Sequence, residues 1–202
     1  KTCYLLFTFD RNCDIIYIMN IFILNEDPVI AAQEQCDKHV VKMIVESAQM
    51  LSTSHRMLDG AMERRASKSG SMLQYFYLEN ALESQLYKAC HHNHPCSIWV
   101  RESSANYQWL YDHFMALCHE YTHRYNKIHM TQTKLESILS NKPNNIPHGP
   151  LTPFKLAMQN EPQCITESPV ESYHKYYVTK KSKFNMTWTN RLTPGWFKHA
   201  NV

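Results

Sequence analysis

Glycine is scarce in this chain, with four among 202 residues. A sandwich or barrel of many short strands needs glycine at its turns, so that class is excluded and helices are favoured. Long apolar runs are missing too. The longest, Ile15 to Leu24, spans ten residues, about half of what a membrane-spanning helix requires, and no membrane segment is expected. There is no strong excess of one charge. Twenty-one Lys and Arg face 18 Asp and Glu, a net +3, which permits phosphate binding without arguing for it. No Walker A loop, GxGxxG, GxSxG, HExxH or HD-type metal signature occurs. P-loop, Rossmann, α/β-hydrolase and zincin chemistries are thereby set aside. No internal repeat is found.

What is present is ordinary globular composition, 44% hydrophobic and 19% charged, enough for one substantial core. The seven cysteines are an odd number, scattered from Cys3 to Cys164. The first apolar run is broken by Asp10, Arg11, Asn12 and Asp14, unlike a secretory leader. Reduced thiols in a cytoplasmic protein are expected.

The chain divides into residues 1–18, read as a non-native or strand-like extension, and a single helical domain over 19–202. Met19 is the expected natural start. Ile21 to Leu24 reads as a short strand or extended segment. Asp27-Pro28 is a cap followed by proline at the first helical position, which predicts a helix running from Pro28 towards Met57 and stopping near Asp59-Gly60. Residues 60–72 read as an exposed polar and basic loop, and Leu73 to Ala89 as helical. A tight turn at Cys90–Cys96 leads into helices over Ser97–Arg101 and Ser104–Tyr125, with a break near Ser103-Ser104. Thr133-Lys134-Leu135-Glu136 and Ser168-Pro169-Val170-Glu171 resemble capping boxes. Between them, Lys142 to Gln163 is a long proline-rich irregular stretch of the kind that often serves a site. The fold class expected is mainly α, with a short N-terminal extended strand.

The first helix carries the main chemical signal. On a helical wheel Cys36, Val40, Met43, Ile44, Ser47, Ala48 and Leu51 fill a wide apolar arc, whereas Gln35, Lys38, His39, Lys42, Glu46 and Gln49 form one narrow band. His39, Lys42 and Glu46 lie at i, i+3 and i+7. A glutamate beside a histidine and a lysine can act as a general base or hold a phosphate. The plain alternative is an amphipathic flank in which Lys42 pairs with Glu46 and His39 is satisfied at the core edge.

A second signal is Cys90-His91-His92-Asn93-His94-Pro95-Cys96. Its residue types suit zinc, but the usual ligand spacing is missing, so no metal is assigned and a site role for His94 and Asn93 is preferred. Trp99, Arg101 and Arg124 could stack a base or hold an anion, although aromatics at helical spacing are more often core. In the basic last third, Lys180, Lys181, Lys183 and Arg191 lie among tryptophans and could meet a nucleic-acid backbone. A solvated basic helix face is the plain reading there.

Several of these stretches together resemble a family of small, uncharacterised proteins of tailed phages, cyanophages among them, and of some bacteria. They are Asn20-Ile-Phe-Ile-Leu, Cys36-Asp-Lys-His-Val-Val-Lys-Met43 with Glu46 and Gln49, His92-Asn-His-Pro95 followed by Trp99, and Thr152-Pro-Phe154 with Ala157-Met158. The resemblance covers about Met19 to Phe197. It brings no activity to carry over by residue, but its phage setting implies nucleotide or DNA metabolism.

The expected function is an enzyme acting on a nucleotide or a nucleic-acid base. His39, Lys42, Glu46 and His94 are the catalytic candidates, and Lys38, Gln49, Asn93, Trp99, Arg101 and Arg124 the substrate-binding ones. In this reading Glu46 or His94 is the base, Lys42 the phosphate or oxyanion partner, and the 142–163 stretch a lid. No cofactor is named by any motif. The rival is a non-enzymatic DNA-binding or virion-associated protein that uses the basic C-terminal face.

Overall fold

Asp27 opens the helical body as its sequence suggests. Its carboxylate accepts from the N–H groups of Val29 (2.8 Å) and Ile30 (3.1 Å), and Pro28 takes the first helical position of α1, Pro28–Glu34. The computed structural model in which this is seen describes residues 19–66, 70–180 and 183–199. The extension expected over residues 1–18 lies outside them.

The single long helix expected from Pro28 to Met57 is in fact two. Gln35 and Cys36 are extended, and α2 begins at Asp37 and runs to Asp59. Arg124 supplies the reason. Its guanidinium binds the carbonyls of Gln33 (2.9 Å) and Gln35 (2.8 Å), which a continuous helix would have used to accept from residues four further on. Asp37 N–H turns instead to the carbonyl of Thr187 at 2.9 Å.

α2 is the central rod. Val40, Met43, Ile44, Ala48, Met50 and Leu51 are all fully buried, each aliphatic side chain contributing on the order of 2 kcal/mol by leaving water. Around it pack α4 (Pro95–Glu102), α5 (Ser104–Tyr125) and α6 (Met130–Leu139). The break between α4 and α5 falls where the sequence puts it. Ser103 is extended, and its hydroxyl accepts from Asn106 N–H at 3.1 Å to cap α5. α6 starts three residues before the expected capping box, because His129 Nδ1 takes the Thr131 N–H at 3.2 Å.

Residues 60–89 depart most from expectation. Instead of a loop and a helix there is an antiparallel hairpin, β1 (Ala61–Ala66) with β2 (Met72–Tyr77), and only Leu82–Gln85 is helical as α3. The aromatic and apolar run Met72–Tyr77 suits a half-covered strand. Arg56 fixes the hairpin to α2. It is fully buried, donates to the carbonyls of Phe76, Tyr87, Glu83 and Leu86, and pairs with the Glu83 carboxylate. Gly60 is needed at the joint, since a Cβ there would lie 2.5 Å from the carbonyl oxygens of both Arg56 and Tyr77.

The proline-rich stretch is a fastened strap. Asn106 and Thr152 exchange two hydrogen bonds of 2.7 and 2.9 Å, Trp99 Nε1 donates to Thr152 O, and Ser103 Oγ donates to Pro150 O. Its start is held by the Asp59 carboxylate, which accepts from Asn144 and Asn145 N–H. After a 3-10 turn (Pro162–Cys164) come α7 (Pro169–Lys180) and α8 (Gly195–His199). The aromatic tail docks on the body. Trp188 Nε1 donates to Glu34 O at 2.8 Å, and Trp196 stacks on His174 with ring centroids 4.0 Å apart. The fold is mainly α, with eight helices and one two-stranded sheet among the described residues. None of those helices is long and apolar enough to cross a membrane.

Candidate active site around Glu46

Residues 19–24 run as an irregular segment against α2 and form no ladder with any strand among the described residues. Met19, Ile21, Phe22, Ile23 and Leu24 are all buried. This segment meets α2 at Glu46. Asn20 N–H donates to Glu46 Oε2 at 3.1 Å, and Lys42 Nζ lies 3.1 Å from Oε1. Both carboxylate oxygens are therefore engaged by donors, one neutral and one charged. Burial pushes the Glu46 carboxyl above its ordinary range. The ammonium of Lys42, the Asn20 N–H and the nearby His91 pull it part of the way back. Lys42 keeps 32% of its side chain exposed against 12% for Glu46, so the pair has a buried floor and a wet edge.

Asn20 is itself held on all sides. Its side-chain oxygen accepts from Tyr173 Oη (2.6 Å), Ile21 N–H (2.8 Å) and Phe22 N–H (3.3 Å), and Nδ2 donates to Ala157 O. Phe22 adopts a left-handed backbone, φ 56°, which is costly for a residue with a bulky side chain. The cost is offset by packing, because its ring stacks on His39 at 4.4 Å with planes 8° apart.

His39 thus turns to the segment rather than to Glu46. Its Nδ1 is 2.6 Å from Tyr177 Oη. Burial first, then the charges of Lys42 and Lys38, depress its pKa to about 3. Uncharged at neutral pH, it serves as a peg for the segment that carries Asn20.

Of the histidine turn, His91, with φ 44°, is exposed, and its charge is felt at Glu46. His94 caps α4, its Nδ1 accepting from Cys96 N–H at 3.2 Å, and burial followed by the charge of His91 lowers its pKa. His92 points the other way, its ring 5.0 Å from that of Phe76. Cys96 is core, with its thiol pushed up to about 12 by burial and then by Glu46, which makes it a poor nucleophile. The thiols and imidazoles of this turn do not gather, and no three His, Cys, Asp or Glu groups among the described residues converge as a metal site.

Of the expected binding residues, Gln49 is half-buried one turn beyond Glu46, and Asn93 is exposed on the histidine turn. Lys38 is exposed and lies over the Phe184 ring at 5.0 Å. Arg101 is half-buried and donates to Ser97 O. Trp99 is fully buried in the core. Arg124 is a buried clamp, bound to Glu120 (3.1 Å), Asp37 (3.0 Å) and two carbonyls, so it presents nothing to a ligand. In the basic last third, Lys180 is paired with Glu161, and Arg191 makes two hydrogen bonds to Glu120. Lys183 is largely exposed, 4.0 Å from Glu161. Lys181 lies outside the described residues.

Two contributors escaped the sequence reading. The Asn20 backbone N–H leaves no mark in side-chain chemistry, although Asn20 opens one of the motifs quoted above. The sequence favours His94 over His91, and only the turn's geometry separates them.

Comparison with known protein families gives one finding. A family model described as pyrimidine dimer DNA glycosylase matches residues 19–133. That stretch contains Asn20, Lys42, Glu46 and His91, and leaves out the basic last third. No curated protein and no solved structure matches the chain.

Proposed function

Since the chain belongs to the pyrimidine dimer DNA glycosylase family, we propose that it is a DNA-repair enzyme that breaks the bond between deoxyribose and a base of a pyrimidine dimer. The observation that carries this reading is Glu46. It is a largely buried carboxylate, held by one backbone N–H and one ammonium, with the Lys42 beside it still partly exposed.

A glycosylase must reach an atom that is closed off inside a duplex, so the damaged nucleotide is drawn out of the stack, which costs least where pairing is already impaired. When the C1′–N bond breaks, its electron pair leaves with the base and positive charge grows on the sugar ring. Glu46 stabilises that charge from a low-dielectric floor where the interaction is strong. Water then adds to C1′, and the proton it sheds passes to Glu46. Lys42, with about a third of its side chain exposed, holds the neighbouring phosphate. Asn20 keeps the Glu46 carboxylate fixed in place. His39 supports it indirectly by pegging Phe22.

The resemblance to tailed-phage and bacterial proteins fits a repair enzyme working on DNA in the cytoplasm of the infected or encoding cell. The test is incubation with duplex carrying one pyrimidine dimer. A base in a dimer stays tethered to its neighbour after one glycosidic bond is broken, so the product is read as an alkali-labile sugar. Cleavage at the dimer and none in undamaged duplex is the expected result. Binding without cleavage would favour the rival, a non-enzymatic DNA-binding protein.

A further inference from the structure

The hairpin has no part in the chemistry at Glu46, yet it frames a cleft of about 570 Å³ lined by Arg64, Gln74, Tyr75, Phe76, Lys88 and His92, with Met72 and Leu73 at its lip. Across the ladder Arg64 pairs with Gln74 and Met62 with Phe76, so these four share one face of the sheet. Met62, Met72 and Leu73 stay 46 to 60% exposed, an unusual amount of apolar surface for a two-stranded ribbon. Arg65 pairs with Glu63 and lies over the Tyr75 ring at 5.4 Å. Arg64 makes no ion pair with any other described residue.

The cleft lies beside the histidine turn, where His92 lines it against Phe76. Thr53 holds this turn to α2, its Oγ1 accepting from Cys90 N–H at 3.2 Å. Thr53 stands two helical turns from Glu46, about 10 Å, and the hairpin joint at Gly60 about 21 Å away. At about 3.4 Å per nucleotide, a strand lying on Glu46 would reach the cleft three to six nucleotides further on.

We propose that the hairpin cleft is a second DNA foothold, which grips the duplex on one side of the lesion through the Arg64 guanidinium and the Gln74 amide, with the apolar lip against the sugars. This rests on the glycosylase reading of Glu46. The ligand is the sugar–phosphate backbone of duplex DNA, so the grip carries no sequence preference. Its consequence is asymmetry. The enzyme needs flanking duplex on one side of the dimer and not on the other.

The experiment measures dissociation constants for duplexes with a central dimer, using the Glu46→Gln chain so that nothing turns over. The flank is trimmed to two base pairs on one side, then on the other. Trimming one side is expected to weaken binding about tenfold and trimming the other to change little. Adding Arg64→Ala and Gln74→Ala should abolish the difference and reduce the slope of log K against log salt by about one. Both residues are exposed, and melting curves check that the fold is intact. Equal losses on the two sides, or an unchanged slope in the variant, overturn the foothold. Excision of the untrimmed duplex by the unmutated chain is measured in parallel. Asymmetry without excision sinks the proposed reaction and leaves the foothold, whereas excision with symmetric losses sinks the foothold alone.

Discussion

Asn20 N–H donates to Glu46 Oε2 at 3.1 Å across 26 residues of sequence. A backbone donor cannot rotate away as a side chain can, so the carboxylate is aimed by the chain path itself. That path depends on Phe22 holding a left-handed backbone against His39. Losing the peg should therefore reach the site. His39→Ala is expected to slow excision while leaving DNA affinity near its starting value, measured as kcat against KM. His39→Phe, which retains a ring against Phe22, should recover much of the rate.

Lys42 opposes the burial that pushes Glu46 up. Replacing Lys42 by Met removes a charge that favours the ionised carboxylate, so the carboxyl rises further. If Glu46 works ionised, the acidic limb of the pH–rate profile should move to higher pH in Lys42→Met. A limb that stays in place would show that another group sets it.

Glu46 also bears on stability. Its folded pKa lies above the ordinary carboxylate value, so the fold is favoured with the group protonated, and stability falls as pH rises through that raised value. Glu46→Gln lacks this loss. Its melting temperature at neutral pH should equal or exceed that of the parent, with the gap closing in acid. A site held at some cost to stability gives this pattern.

The histidines act in the opposite sense. His39 is depressed to about 3 and His113 to about 4, both chiefly by burial. Each contributes stability that is complete above its unfolded value near 6.5 and is lost as pH falls towards the folded one. Denaturant midpoints should decline between about pH 6.5 and 3, and His113→Gln should flatten part of that decline.

Arg124 offers the contrast of a charge that serves structure. Arg124→Met would remove one of the two guanidinium partners of buried Glu120 and the ion-pair partner of half-buried Asp37, and would free two carbonyls at the α1–α2 break. Breaking a buried pair on one side costs about 3–5 kcal/mol, readable in chemical denaturation. Arg191 still reaches Glu120, which favours the lower end.

The sequence made the central helix and its polar band legible because burial and spacing follow from a wheel. The caps at Asp27 and Ser168 were legible for the same local reason. Long-range donors were not. Nothing in the run from Pro28 to Met57 signals that Arg124 will take the carbonyls at Gln33 and Gln35, so the break was invisible. Met72–Tyr77 has enough apolar residues to pass for a helix, and only pairing with Ala61–Ala66 makes it a strand. In the band itself Lys42 and Glu46 stayed together, whereas His39 was drawn off by Phe22 and Tyr177, partners far away in sequence. The histidine turn was found, but whether the charge of His91 or of His94 is felt at Glu46 depends on which one caps α4.

The most direct test is single-turnover cleavage of a dimer-bearing duplex by the unmutated chain and by Glu46→Gln. Efficient cleavage at the dimer is expected of the first. The second should bind the same duplex with similar affinity and cleave at least about 100-fold more slowly. Cleavage by Glu46→Gln at the parent rate would contradict the assignment of Glu46, and a parent chain that ignores the dimer would contradict the function itself.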